Sequence, residues 1–195
     1  MEKLHIKVIL ASIRPNRFGI HPATLLMDVA SKRDDMTVEL LDLKDYRLPD
    51  FESPISPAYV KDASYGRADV DAWAAKIAEA DGFVIVTPEY NHGYPAPLKN
   101  AIDHIYKEWN NKAVAYVGYG GTGGARVITQ LRSVATEQQM APIRSSVHIM
   151  FPWMLTEADG SLKPGALDDK MKPMSAMLDQ LTWWAAALRS ARQKG

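Results

Sequence analysis

Five short apolar runs rich in β-branched residues, separated by stretches whose apolar residues recur at helical spacing, limit this chain to very few folds. The runs are Ile6–Ala11, Thr37–Leu43, Phe83–Thr87, Ala113–Gly118 and Ser145–Met150. A strand that is apolar at consecutive positions must be covered on both faces, the condition of a parallel strand inside an α/β sheet. The intervening segments supply that cover. Val70, Trp73, Ala74, Ile77 and Ala78 share one helical face, as do Leu98, Ala101, Ile102, Ile105 and Tyr106, and again Val127, Ile128, Leu131, Val134 and Ala135. A first helix is expected from Pro22 to Ser31, with its proline tolerated in the first turn, and a last from Leu167 to Arg189. Gly82 is expected to end the second helix.

Strand and helix alternating in this way predict a doubly wound α/β fold: a flavodoxin-like three-layer sandwich with a five-stranded parallel sheet of order 2-1-3-4-5. No repeat or linker interrupts the pattern, so one domain over residues 1–195 is expected, long enough to bury a core without disulfides. Lys+Arg and Asp+Glu number 23 each, and a net charge of zero argues against a nucleic-acid surface. The absence of cysteine excludes thiolate nucleophiles, iron–sulfur clusters and cysteine zinc sites, so redox chemistry would need a bound cofactor. No His/Asp/Glu spacing suggests a metal. The run Ile6–Leu10 is too short for a signal-peptide core, and no stretch approaches the roughly 20 apolar residues of a membrane span. A soluble, cytoplasmic protein is expected.

In such a sheet, ligands sit beyond the carboxyl ends of the strands. Three loops there are notable. The first, "ASIRPNRFG", offers the Ser12 hydroxyl and the guanidinium groups of Arg14 and Arg17 ahead of a helix N-terminus, a combination that suits a phosphate dianion or is merely solvated surface. The third-strand loop carries Glu89, Tyr90, Asn91 and His92, which either contact a flat heterocycle or form an ordinary turn. The fourth-strand loop, "GYGGTGGAR", matches G-x-G-x-x-G at Gly118, Gly120 and Gly123, but it lies in the wrong βαβ unit for a dinucleotide fingerprint, and the acidic candidate, Glu137, falls on a helix. Its glycines are expected to let the backbone approach a ligand closely and to present amides at a helix start.

The stretches "SIRPNRFG", "PEYNHGYPAPLKNAID" and "GGTGGARVITQLR" together resemble the NADPH-dependent FMN reductase family, which includes quinone and azo reductases, over nearly the whole chain. The resemblance implies that Ser12, Arg14, Asn16, Arg17 and Phe18 surround the FMN phosphate and ribityl chain. It also implies that Pro88, Glu89, Tyr90 and Asn91 contact the isoalloxazine ring, and that Tyr119, Gly120 and Gly121 line its pyrimidine edge. Ala11 stands where the family often has glycine, and Tyr119 where a small hydroxyl residue is frequent; the tyrosine is expected to shield the flavin or narrow the substrate pocket. The implied activity passes hydride from NADPH or NADH through FMN to a quinone, an azo or nitro aromatic, or free flavin, in ping-pong order. No catalytic side chain is required, and the amides of Gly120–Gly124 are expected to stabilise negative charge on the reduced ring.

Two other classes compete. A flavodoxin-type electron carrier would tend to be strongly acidic, unlike this neutral chain. A non-flavin regulatory module would want acidic residues after the first strand, where Ala11, Ser12 and Arg14 stand. Trp183, Trp184 and Leu188 are read as core or subunit packing, and His148 as a strand residue facing packing. The apolar loop "MFPWML", Met150–Leu155, reads as an interface, and a homodimer or homotetramer is expected. The connections Leu48–Tyr65 and Phe151–Pro164 exceed the usual length, which suits binding or oligomer roles.

Overall fold

The computed structural model describes residues 2–62 and 64–194. Strands β1 (Leu4–Leu10), β2 (Met36–Asp42), β3 (Gly82–Pro88), β4 (Ala113–Gly120) and β5 (Ala141–Met150) form one parallel sheet in the order β2-β1-β3-β4-β5. Helices α1 (Ile20–Ser31), α2 (Ala68–Ala78), α3 (Ala96–Asp103), α4 (Ala125–Glu137) and α5 (Met171–Arg192) complete the doubly wound arrangement. Side chains alternate across the three inner strands. Val8, Leu10, Val84, Val86, Ala115 and Val117 face α1 and α5. Ile9, Phe83, Ile85, Val114 and Tyr116 face α2, α3 and α4. Both faces being covered explains why these strands read as unbroken apolar runs.

The boundaries differ from the sequence expectation where tertiary contacts override local pattern. β5 begins four residues early: "APIR" has no apolar run, but it lies on the sheet edge, where Pro142 is tolerated and a register shift between Val114 and Tyr116 absorbs the irregularity. Gly82 does not stop α2. It opens β3, where a Cβ would lie 3.2 Å from the Ala113 carbonyl oxygen and 3.3 Å from Ile6 Cδ1. α2 ends instead at Ala78, where Lys112 Nζ donates to the carbonyls of Ile77 (2.8 Å) and Ala78 (2.9 Å). α3 closes at Asp103; Ile105 and Tyr106 lie beyond it, Ile105 still buried. α5 follows a 3₁₀ turn at Asp168–Lys170 and buries Met174, Met177, Leu178, Leu181 and Ala185. Trp183 and Trp184 therefore fall on its outer side, 67% and 38% exposed, and are not core residues.

Candidate functional site

The βα connections bring four loops to the carboxyl ends of β1, β3, β4 and β5, around a cleft of about 350 Å³. From the first come Arg14, Asn16, Arg17 and Phe18; from the second Pro88, Glu89 and Tyr90; from the third Tyr119 and Gly120. Nine of the twelve residues named from sequence thus border one space. Ser12, Asn91 and Gly121 do not.

Ser12 is 1% exposed, and its Oγ lies 2.8 Å from the Tyr90 hydroxyl, joining the first loop to the second. Arg14 stacks over the same ring, 5.7 Å from its centroid. Arg17 behaves differently. One terminal nitrogen pairs with Asp42 at the end of β2, both side chains being largely buried, while Nη1 is buried with no hydrogen-bond partner. Two other buried side-chain atoms among the described residues, Trp109 Nε1 and Gln138 Oε1, also lack a partner, but neither residue lines the cleft and neither is cationic. An unpaired guanidinium donor shielded from water is costly unless an anion completes it. The adjoining helix start fits the same purpose: α1 has no capping side chain and no acidic residue in its first turn, so its positive end is uncompensated.

Asn91 and His92 take positive φ values, 49° and 69°, between the paired Tyr90 and Gly93, the geometry of a type I′ turn. The turn directs Asn91 to solvent and accounts for its absence from the cleft. Glu89 lines the cleft, yet its carboxylate is already engaged. It accepts from Arg126 Nη1 (2.7 Å), the Arg126 amide (3.1 Å) and Thr122 Oγ1 (3.2 Å). Burial opposes its charge, but these hydrogen bonds outweigh the penalty and hold the carboxyl below the usual range. Its contribution is to fasten the second loop to the third and to occupy the start of α4.

The glycine-rich loop also differs from expectation. A Cβ on Gly124 would meet Gly118 Cα at 2.7 Å, and one on Gly123 would meet His148 Cβ at 2.9 Å. These glycines allow close packing of β4, α4 and β5, and the Gly123 amide donates to the Gly120 carbonyl (3.1 Å). Among the run, Gly120 borders the cleft. His148 lies exposed on the edge strand, not packed inward. Its Nδ1–H donates to the Gly123 carbonyl (2.9 Å), and its Nε2 lies 2.9 Å from the Ser146 hydroxyl. Tyr119 is 5% exposed and reaches beneath the first loop, its ring 5.3 Å from Phe18; burial pushes its phenol pKa up. A Cβ on Gly19 would stand 2.6 Å from its hydroxyl, so the small residue at position 19 and the large one at 119 are matched.

Sequence reasoning missed the fourth wall. Pro152, Trp153, Thr156 and Gly160 come from the β5–α5 connection. Phe151, at φ 49°, donates its amide to the Gly120 carbonyl (3.1 Å) and sets Trp153 against Gly121, with the indole 3.7 Å from where a Cβ would be. The signal was the aromatic segment "MFPWML" directly after a strand on the same rim. A larger cavity, about 770 Å³, opens among Ile13, Tyr46, Arg47, Phe51 and Lys99. Among the described residues it has no unpaired buried donor, and the four loops do not converge there. Among the described residues no cluster could hold a metal ion, and no helix is long and apolar enough to cross a membrane.

The model of a family described as NADPH-dependent FMN reductase matches residues 4–153. An NAD(P)H-dependent FMN reductase of Schizosaccharomyces pombe is 44% identical over 130 residues, covering 67% of this chain and 64% of that relative's length. A quinone reductase of Escherichia coli is 32% identical over 140 residues, covering 68% of this chain and 70% of the relative. Among solved structures, FerB, a flavoenzyme NAD(P)H:(acceptor) oxidoreductase from Paracoccus denitrificans, superposes with a TM-score of 0.70 at 23% identity, covering 94% of this chain and 98% of the other.

Proposed function

Because the chain belongs to the NADPH-dependent FMN reductase family, we propose that the four-loop cleft holds FMN and that the protein is an NAD(P)H-dependent oxidoreductase acting on a small aromatic acceptor. The observation that carries this reading is Arg17 Nη1, a buried cationic donor lacking a partner beside an uncapped helix start. In this reading Arg17, Asn16 and the start of α1 hold the phosphate, with Asp42 keeping the guanidinium in place. Phe18, Tyr90 and Trp153 border the ring system, and Glu89 fixes the loop on which Tyr90 stands.

FMN, when bound, supplies hydride transfer, so no side chain has to act as nucleophile. The protein orients the reactants and shields them from water. NAD(P)H and acceptor are both flat, and one cleft serves them in turn, which gives ping-pong kinetics with a quinone, an azo or nitro aromatic, or free flavin as acceptor. Ser12 and Tyr90 lock the first loop to the second and keep that cleft open at a fixed width. Met150, Trp153 and Met154, exposed at 52%, 63% and 62%, form an apolar lip suited to a second copy of the chain, so the working unit is a homodimer or homotetramer.

Titration of the purified chain with FMN tests the reading. Flavin fluorescence should quench with one FMN per chain, NADPH should bleach the complex anaerobically, and benzoquinone should restore its colour. Fluorescence unchanged at saturating protein would reject it.

A further inference from the structure

Two residues of the fourth wall, Thr156 and Gly160, belong to a small hairpin inserted between β5 and α5. Thr156 pairs with Leu162, the Glu157 amide donates to the Ser161 carbonyl (2.8 Å), and the Gly160 amide donates to the Glu157 carbonyl (3.0 Å). Inside the turn, the Asp159 carboxylate accepts from the Ser161 amide (2.9 Å) and hydroxyl (2.6 Å), and Gly160 supplies a φ of 87°. The base of the hairpin is anchored by Leu155 and Leu162, which pack against the core under α1 and α5.

At the tip, His21 Nε2 lies 3.0 Å from the Gly160 carbonyl oxygen, across 139 residues of sequence. A carbonyl can only accept, so Nε2 carries the proton and donates. His21 lies in the first turn of α1, edge-on to Phe18 at 5.7 Å, and Phe18 in turn packs on Tyr119. The hairpin tip is thereby tied to the phosphate side of the cleft through residues that line it.

We propose that this hairpin is a latch: His21 is a positioning residue that holds Gly160 against the start of α1, so that FMN remains with the protein between turnovers. Resting on the reading of the cleft as an FMN site, this narrows the acceptor. Electrons leave on a second flat molecule such as a quinone, not on departing reduced FMN. The net exchange takes one hydride from NAD(P)H and one proton from solvent to the quinone, giving NAD(P)+ and hydroquinone.

The test is the rate of FMN release from the loaded full chain, followed on dilution by the return of flavin fluorescence. His21→Ala should speed release about tenfold, the loss of one good hydrogen bond. FMN association should stay at the wild-type value, and the melting temperature of the FMN-free protein should fall by only about 2–4 °C, since the same hydrogen bond is present there. His21→Gln, which keeps an N–H donor, should recover most of the slow release. Asp159→Ala loosens the hairpin from within and leaves His21 untouched; it should also speed release, and it keeps the idea testable if His21→Ala does not fold. Release rates equal to wild type in both variants would overturn the latch. A wild-type chain that fails to quench FMN would instead overturn the FMN reading beneath it.

Discussion

At the amino ends of the strands Asp81 is buried against two arginines and Lys112 against two carbonyls, whereas at the carboxyl ends Arg17 is buried with one terminal nitrogen unpaired. The contrast follows from topology. In a doubly wound sheet the helices point their carboxyl ends at the amino rim and their amino ends at the carboxyl rim. Lys112 accordingly caps the last carbonyls of α2, and Asp81 accepts from Arg192 (2.8 Å), Arg189 (3.2 Å) and the His5 amide (3.0 Å). Asp81 and its two arginines close on one another, Lys112 closes on two carbonyls, and both arrangements hold the fold. At the other rim a helix start and a guanidinium together remain open, which is the arrangement an anion completes. One rim closes on itself; the other is the one proposed to bind.

Substitutions at the two rims should therefore separate stability from FMN affinity. The largest effect is expected from Asp81→Ala, which strands two partly buried arginines and should cost about 3 kcal/mol in denaturant unfolding while leaving FMN affinity intact. Arg17→Met should show the opposite emphasis, weakening FMN binding in fluorescence titration by about 2–3 kcal/mol, the worth of a charge-assisted hydrogen bond. Wild-type FMN affinity in Arg17→Met would erase the distinction between the rims. Gly19→Ala drives a Cβ into the Tyr119 hydroxyl and Leu10, and should cost about 1–2 kcal/mol in thermal or denaturant unfolding. Adding Tyr119→Phe removes the clashing oxygen, so the double variant should lose less than the sum of the single ones.

The smallest effect is a pH dependence at the structural rim. Burial lowers the Lys112 pKa from 10.5 to about 7. Below pH 7 both folded and unfolded chains hold this proton. Between about 7 and 10.5 the unfolded chain holds it and the folded chain does not, so this group makes stability rise with pH across that window. The neutral amine keeps two N–H donors, which the two carbonyls use. Relative to a Lys112→Met variant, the wild type should gain about 1 kcal/mol between pH 7 and 8. Parallel stability curves for the two proteins would show that Lys112 stays charged.

How much of this was legible in the sequence depended on whether a feature was local. β1, β3 and β4 announce themselves because burial on both faces makes them continuously apolar. The first four residues of β5 do not, because an edge strand alternates and includes Pro142. The rim loops could be chosen from topology alone, and nine of the residues named there converge. The role of Glu89 was hidden, since its partner Arg126 lies 37 residues away and nothing in "PEYN" shows that they meet. Asn91 stands outside the cleft at a positive-φ turn position, which nothing in its spacing reveals. The fourth wall was visible as a long connection suited to binding or oligomer roles, with its apolar segment read as an interface, since periodicity cannot tell which side of a lip a tryptophan faces.

The most direct measurement of the central claim is the structure of the chain crystallised with FMN. The account predicts the phosphate within hydrogen-bonding distance of Arg17 Nη1, with the ring between Tyr90 and Trp153. A flavin held at the amino rim, or seated among Tyr46 and Phe51 with Arg17 Nη1 still unpaired, would contradict it.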